Sequence, residues 1–259
     1  MVARLKPVIP DELWPFLLTV RSFRGGGPIV GLPAFRRVLV VSAHPDDESI
    51  GCAGTLSLLA DAGAQIRIVV ATDGEATKGS TLHREETGQM RRAEMTEVAS
   101  LLGAHVTFLG FPDGELGAPI DDLAKELARH IDDQSPEAVF APWLLDDHPD
   151  HQAVAAALAV VLSSSGCKPE VWGYETWAAL VPNRIVDIST RIDRKQEVLA
   201  LHRTATLAFD LSAGVGLNRW RSVHGLMGRG HAEAFLAIPA DRYVTFADEV
   251  RETQATSQQ

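Results

Sequence analysis

The sequence predicts an α/β fold: a Rossmann-like parallel sheet with helices on both faces and a smaller C-terminal lobe. Apolar runs alternate with amphipathic stretches from Arg36 onward, which is typical of successive βα units. Gly63, Gly103 and Gly166 each follow a helical pattern, where a residue with positive φ closes the last turn. The length of 259 residues is enough to bury one full hydrophobic core.

Each predicted element follows from its own residues. Apolar and β-branched runs predict strands at 37–42, 66–72, 105–109 and 137–141. Apolar residues at helical spacing predict helices at about 51–63, 84–102, 119–132 and 150–163. After residue 168 the pattern changes to an aromatic run at 171–177, an apolar run at 184–188, a helix from about 190 to 202 and a glycine-rich stretch at 212–230.

These elements divide the chain into three segments. Residues 1–35 form an N-terminal extension whose Gly25-Gly26-Gly27-Pro28 run supports neither helix nor central strand, so we expect a lid or an oligomer contact there. Residues 36–167 form the core that carries the βα units. Residues 168–259 form a C-terminal lobe that completes a substrate cleft, within the same structural domain as the core.

Composition narrows the classes of function. A formal charge of −10 argues against nucleic acid or an acidic membrane surface as the main partner. The apolar patch at 13–20 is too short to span a bilayer, and we expect a cytoplasmic protein. Cys52 and Cys167 suit neither a disulfide framework nor a thiolate metal site, so nitrogen and oxygen must hold any metal.

Two segments rich in His and Asp stand about a hundred residues apart, each directly after a predicted strand: His44-Pro45-Asp46-Asp47-Glu48 and Asp146-Asp147-His148-Pro149-Asp150-His151. Loops that leave the same edge of a parallel sheet bring such side chains together. The result has the composition of a hydrolytic zinc site, for which His44, Asp47 and His151 would supply two imidazoles and a carboxylate. Either segment alone is better explained by a turn or a helix cap, and the match of two segments at strand ends reverses that preference. Spacing leaves open whether Asp46 or Asp47 binds the metal, and the same ligand types suit Fe²⁺ as well as Zn²⁺.

Together with Gly51-Cys52-Ala53-Gly54-Thr55-Leu56, the two segments resemble the LmbE or PIG-L family of zinc-dependent N-acetylglucosaminyl deacetylases. The resemblance covers roughly residues 36–165 and weakens toward 240. It implies that His44, Asp47 and His151 are the metal ligands, that Asp46 is the general base, and that a protonated His148 stabilises the oxyanion or protonates the leaving amine. It also implies that Asp150 tunes the basicity of a ligand imidazole.

The resemblance further implies a rim that binds the substrate. Arg91 and Asp113 match positions that hold sugar hydroxyls, and the segment 72–75 resembles a Thr-x-Gly-Glu motif of the same rim. Simpler roles stay open from the residues alone: Arg91 pairs with Glu94 at helical spacing, Asp113 is a turn residue, and Asp150 caps the helix at 150–163.

Other side chains near the predicted cleft are assigned to the fold. Aromatic residues follow the predicted strands, and most of them are expected in the core; they are Trp143, Trp172, Tyr174 and Trp177. We treat His202, His224 and His231 as structural. The segment Thr204-Ala205-Thr206 stands where family members often carry a Gln, which puts the substrate's aglycone in doubt.

The sequence therefore predicts a zinc-dependent amidohydrolase that removes the acetyl group from an amino sugar in a small glycoside or glycoconjugate. The expected partner is this small molecule, with no nucleic acid, no membrane span and a possible homo-oligomer. A hydrolase of another small amide or ester, and a non-catalytic sugar-binding relative, are the alternatives. A dinucleotide-dependent dehydrogenase is disfavoured because no G-x-G-x-x-G motif follows the first strand.

Overall fold

The structure, a computed structural model, describes residues 28–257. In this range the chain forms one sheet of eight strands with helices packed on both faces, and the predicted fold class is confirmed. Most of the predicted N-terminal extension, residues 1–27, lies outside the described residues. Among the described helices, none combines the length and the apolar character that crossing a membrane requires.

The strands follow the chain in the order β1 to β8. They are Ile29–Val30, Arg37–Ser42, Gln65–Thr72, His105–Phe111, Ala138–Pro142, Glu170–Tyr174, Arg184–Asp187 and Ala232–Pro239. The helices α1 to α8 are Asp47–Asp61, Arg84–Leu101, Ile120–Gln134, Pro149–Ser164, Ile192–Leu201, Ser212–Arg221, Val223–Leu226 and Ala240–Ser257. Short 3₁₀ turns lie at Ser189–Arg191 and Ala205–Leu207.

The order of strands across the sheet places the site. It runs β1-β7-β8-β6-β5-β2-β3-β4, and every neighbouring pair is parallel except the two that β8 makes with β6 and β7. Successive strands diverge from β2, with β3 and β4 on one side and β5 and β6 on the other. Such a reversal leaves a crevice beyond the carboxyl ends of the strands. The loops after β2 and β5 carry the two His/Asp segments to this crevice.

The alternation of side chains along β2 explains the two layers of helices. Leu39 and Val41 are fully buried against the cluster formed by α3, α4 and α8. Val38 and Val40 point to the other face, where α1, α2 and α5 pack. Since successive residues of a strand point to opposite faces, a run that is apolar at every position predicts a strand covered on both sides.

Several elements differ from the sequence-based boundaries. Helix α1 begins at Asp47, four residues before the predicted start, because its first turn is polar and breaks the apolar pattern. Gly63 and Gly103 have the expected positive φ, but the expectation for Gly166 is wrong: α4 ends at Ser164 and Ser165 is extended. Strand β8, helix α8 and helix α6, which lies in the glycine-rich stretch, were not assigned from the sequence.

A buried ion pair ties the C-terminal region to α1. Lys195 of α5 and Glu233 of β8 are fully buried, and Lys195 Nζ lies 2.7 Å from Glu233 Oε1. Lys195 also donates to the carbonyl oxygen of Ile50, and the Glu233 carboxylate accepts the backbone N–H groups of Gly54 and Thr55. Helix α1, which begins at Asp47, is therefore held from two later parts of the chain.

Candidate active site

The loop after β2 folds back onto the first turn of α1. Asp47 Oδ2 accepts the backbone N–H groups of Ala43 and His44 at 2.8 and 2.9 Å. His44 Nδ1 lies 3.8 Å from the same oxygen. Both side chains are nearly inaccessible to solvent, so the segment presents a fixed imidazole and a fixed carboxylate at the crevice.

The loop after β5 brings His151 to the same point. His151, in the first turn of α4, is fully buried, and its Nε2 atom lies 3.1 Å from Asp47 Oδ1. Its other ring nitrogen, Nδ1, lies 2.9 Å from Asp146 Oδ1. The structure thus brings His44, Asp47 and His151 together, as the sequence predicts.

The donor set fits a divalent metal ion. His151 Nε2 is a buried nitrogen that makes no hydrogen bond within the described residues, although a carboxylate oxygen stands beside it. An imidazole held through Nδ1 by a carboxylate, with Nε2 free, has the arrangement of a metal ligand. One ring nitrogen from each of His44, His148 and His151 lies within 4.8 Å of those of the other two. This group could therefore hold a metal ion, with His148 adjoining the predicted ligands.

The surrounding carboxylates favour positive charge at this point. Burial lowers the pKa of His44, but hydrogen bonds with Asp113 and Asp150 outweigh burial and raise it to about 10. Burial also lowers the pKa of His151, whereas Asp47 and Asp146 raise it to about 9. A metal that binds these nitrogens competes with protons, so its affinity falls as the pH falls.

Asp46 lies between the metal-ligand candidates and Arg91. Its backbone has φ 147° and ψ −21°, a conformation that an L-residue adopts only under strain. Arg91 Nη2 lies 2.9 Å from Asp46 Oδ2. Burial raises the pKa of Asp46 to about 6, and the Arg91 guanidinium keeps it from rising further.

Arg91 is held by the protein on several sides. It donates to the carbonyl oxygens of Pro45 and Gly74 and to Thr77 Oγ1. Gly74 has a positive φ, and a Cβ atom there would collide with the guanidinium, so the glycine of the Thr-x-Gly-Glu motif makes room for Arg91. The alternative pairing with Glu94 is wrong, because Glu94 accepts hydrogen bonds from Thr204.

His148 is the residue before α4 and lines the crevice. Its Nδ1 accepts the backbone N–H of Asp150 at 3.2 Å, so the neutral ring carries its proton on Nε2. Partial burial lowers the pKa of His148, and the neighbouring imidazoles of His44 and His151 lower it further. The sequence-based expectation is a protonated His148 ring, whereas the lowered pKa favours the neutral ring. The neutral ring still offers one N–H donor, at Nε2.

The carboxylates of Asp150 and Asp113 both contact the imidazole of His44. The Nε2 atom of His44 lies 3.2 Å from Asp150 Oδ2 and 3.1 Å from Asp113 Oδ1. Asp150 also accepts the N–H groups of Gly114 and Leu116, and since it does not cap α4, the alternative N-cap role is wrong. The other oxygen of Asp113 accepts the N–H of Ala76, so both of its oxygens contact the protein.

A cleft of about 590 Å³ is lined by six of these residues: His44, Asp46, Asp47, Arg91, Asp113 and His148. Of the aromatic residues near it, Trp143, Trp172 and Tyr174 are buried in the core, whereas Trp177 is 55% exposed and lines the cleft. His202 is buried and hydrogen-bonded to Ser49, and burial lowers its pKa to about 3, consistent with a structural role. The segment 72–75 reaches the rim through Glu75, which accepts the backbone N–H of Asp113.

Asp146 is a site residue that the sequence-based assignment missed. Its fully buried carboxylate accepts the backbone N–H groups of His148, Trp177 and Ala178 and the hydroxyl of Thr176, in addition to contacting His151. Its position five residues before His151 was the available indication. One carboxylate thus orients the imidazole and anchors the loop that carries Trp177.

Replacing Asp146 with Asn is expected to weaken metal binding by roughly 10- to 100-fold, the usual effect of losing a carboxylate that orients a ligand imidazole. Titration against a chromophoric chelator measures this affinity. Asp147→Asn, which changes the adjacent exposed carboxylate, is the matched control and should bind metal like the wild type. Equal affinities of the Asp146→Asn variant and the wild type would contradict the assigned role.

Comparison with known proteins places the chain in a family. The family model described as "PIG-L: GlcNAc-PI de-N-acetylase" matches residues 39–162. The Escherichia coli (strain K12) protein named "Uncharacterized deacetylase YaiS" is 31% identical over 154 residues, which are 56% of this chain and 78% of that protein. The chain belongs to the PIG-L family. Both His/Asp segments lie within the matched range, and the predicted family membership is confirmed.

Two further relatives of this PIG-L chain carry more specific names. Diacetylchitobiose deacetylase of Thermococcus kodakarensis is 31% identical over 147 residues, which are 55% of this chain and 54% of that protein. The solved structure of N,N'-diacetylchitobiose deacetylase from Pyrococcus horikoshii superposes with a TM-score of 0.69 at 26% identity, covering 81% of this chain and 86% of that one. The prediction of an amide-hydrolysing enzyme is confirmed at the level of the PIG-L family.

Proposed function

We propose that the protein is a zinc-dependent deacetylase that hydrolyses the N-acetyl amide of an amino sugar within a small glycoside or glycoconjugate. The observation that carries the proposal is the unpartnered Nε2 of His151 beside Asp47, with Asp46 and His148 lining the same cleft. The names of the relatives, which are deacetylases of acetylated sugars, support the same substrate class.

His44, Asp47 and His151 would hold the metal. When bound, zinc supplies a Lewis acid that polarises the amide carbonyl and makes the attacking water more acidic. The residues of the chain fix the positions of the ligands: Asp146 orients His151, while Asp113 and Asp150 orient His44.

Asp46 would accept the proton of the attacking water at its carboxylate. Arg91 holds that carboxylate by an ion pair and is itself fixed by Pro45 and Gly74. A base works best when its pKa lies near the working pH, and burial raises the pKa of Asp46 toward that range, to about 6. A bound cation would lower this value.

His148 would donate from Nε2 to the oxygen or the nitrogen of the breaking amide. Its Nδ1 is occupied by the backbone N–H of Asp150, which leaves Nε2 as the donor. Asp113 and Arg91 would contact sugar hydroxyls through charge-assisted hydrogen bonds, which orient a polyol. Together these groups provide a base, a donor and a rim for an acetylated amino sugar.

Metal removal and replacement test the proposal. We expect dialysis against a chelator to abolish amine release from N-acetylglucosamine glycosides, and Zn²⁺ to restore it; a parallel arm with Fe²⁺ identifies the metal that supports turnover. His151→Ala should bind the metal too weakly to be restored, whereas His105→Ala, at an exposed histidine of β4, should behave like the wild type. Full activity after chelation, or hydrolysis of simple acylated amines but not acylated sugars, would overturn the proposal.

A further inference from the structure

The cleft has an apolar part that the proposed chemistry does not use. Trp177 is 55% exposed, and its ring centroid lies 5.0 Å from that of Phe209, with the two ring planes tilted by 47°. Ile50, Ala205 and Ala208 line the same cleft. The polar groups of the cleft, among them Arg91 and Asp113, lie instead with the reacting residues around His44 and Asp46.

Trp177 is exposed, and its backbone is fixed in place. Its backbone N–H donates to Asp146 Oδ2 at 3.1 Å, and Thr176 and Ala178 on either side bind the same buried carboxylate. Its ring also lies 6.3 Å from that of His148, at an angle of 32°. A rigid aromatic ring beside a cleft loses little conformational entropy when a flat group stacks on it.

The two ends of a substrate would lie at different depths in the cleft. Asp47 and His151 are almost completely buried, so the acetamide must enter the deep part of the cleft. Trp177, more than half exposed, lines the same cleft nearer to solvent than Asp47 and His151. A volume of about 590 Å³ is within the range of sites that take drug-sized ligands, which leaves room beyond one acetylated sugar ring.

We infer that Trp177 and Phe209 form an aromatic platform that binds the aglycone, with preference for a flat aromatic or pyranose ring attached to the amino sugar. This inference rests on the proposed function, because it assumes that the amino sugar occupies the polar part of the cleft.

The test compares the methyl and phenyl glycosides of N-acetylglucosamine in one anomeric form. Stacking on a fixed aromatic ring should raise the wild-type kcat/KM for the phenyl glycoside by roughly three- to tenfold over the methyl glycoside. In Trp177→Ala this ratio should fall to about one, and Trp177→Phe should keep most of it. Trp220→Ala removes a tryptophan that is 58% exposed but does not line the cleft, and it should leave the wild-type ratio unchanged.

The outcomes separate this inference from the proposed function. The platform is overturned if the ratio of kcat/KM for the phenyl and methyl glycosides is unchanged in Trp177→Ala. It is also overturned if the loss of activity in this variant depends on the length of the acyl group and not on the aglycone. If the wild type hydrolyses neither glycoside, calorimetric binding decides: tighter binding of the phenyl glycoside that depends on Trp177 supports the platform although the proposed function has failed. Binding that does not depend on Trp177 overturns both.

Discussion

Replacing Asp46 with Asn is expected to lower kcat by about 10²- to 10⁴-fold, the range that a positioned general base contributes. The amide has the size of the carboxylate and can still contact Arg91, but it cannot accept the proton of the attacking water. Because Asp46 is not one of the predicted ligands, the variant should keep its metal. Steady-state amine release and metal analysis of the same sample measure the two effects.

The pH profile gives a second measure of the role of Asp46. The base must be ionised, so the wild-type kcat rises with pH through the pKa of this group, at or below about pH 6. Asp61→Asn, which changes an exposed aspartate that pairs with Arg191 away from the cleft, is the matched control and should keep wild-type turnover. Full turnover of Asp46→Asn with metal bound would reassign the base.

Glu233→Ala is expected to lower the free energy of unfolding by about 3–5 kcal/mol, the cost of leaving a buried charge without its partner. The fully buried Lys195 would lose its counter-charge, and the N–H groups of Gly54 and Thr55 would lose their acceptor. Urea unfolding monitored by circular dichroism measures the change. Because Glu233 holds the middle of α1, stability and metal affinity should fall together.

A double variant separates charge from packing. Lys195→Met combined with Glu233→Leu removes both charges, and an apolar pair of similar volume can replace a buried ion pair without large loss. It should be more stable than Glu233→Ala, although Gly54 and Thr55 still lack their acceptor. Lys125→Ala disrupts the exposed Asp122–Lys125 pair and should leave stability unchanged. A Glu233→Ala variant as stable as the wild type would show that the pair contributes nothing.

The parts of the fold that local sequence determines were predictable. Strand β2 has the predicted bounds because its residues are apolar at consecutive positions and are buried on both faces. The two His/Asp segments were predicted to meet because parallel strands end at one edge of the sheet. The position of each candidate ligand could therefore be predicted from the strand that precedes its segment.

Features that depend on distant partners were not predictable. In the sequence, Asp146 resembles an ordinary loop aspartate. Its role depends on distant contacts such as the hydrogen bond from the backbone N–H of Trp177, thirty-one residues later in the chain. The buried state of Lys195 depends on Glu233, which lies thirty-eight residues away in an unassigned strand. Arg91 was expected to face the substrate, and its contacts with Pro45, Gly74 and Asp46 arise only when the loops after β2 and β3 pack against α2.

Strand β8 has a consequence for the order of assembly. It lies between β6 and β7 although it follows both in the chain, and β7 joins the main sheet through it. During synthesis, β6 therefore keeps one open edge until residues 232–239 have emerged. An unpaired strand edge is a template for association with other chains. The proposed catalytic residues are thus synthesised well before the strand that covers this edge and delivers Glu233 to α1.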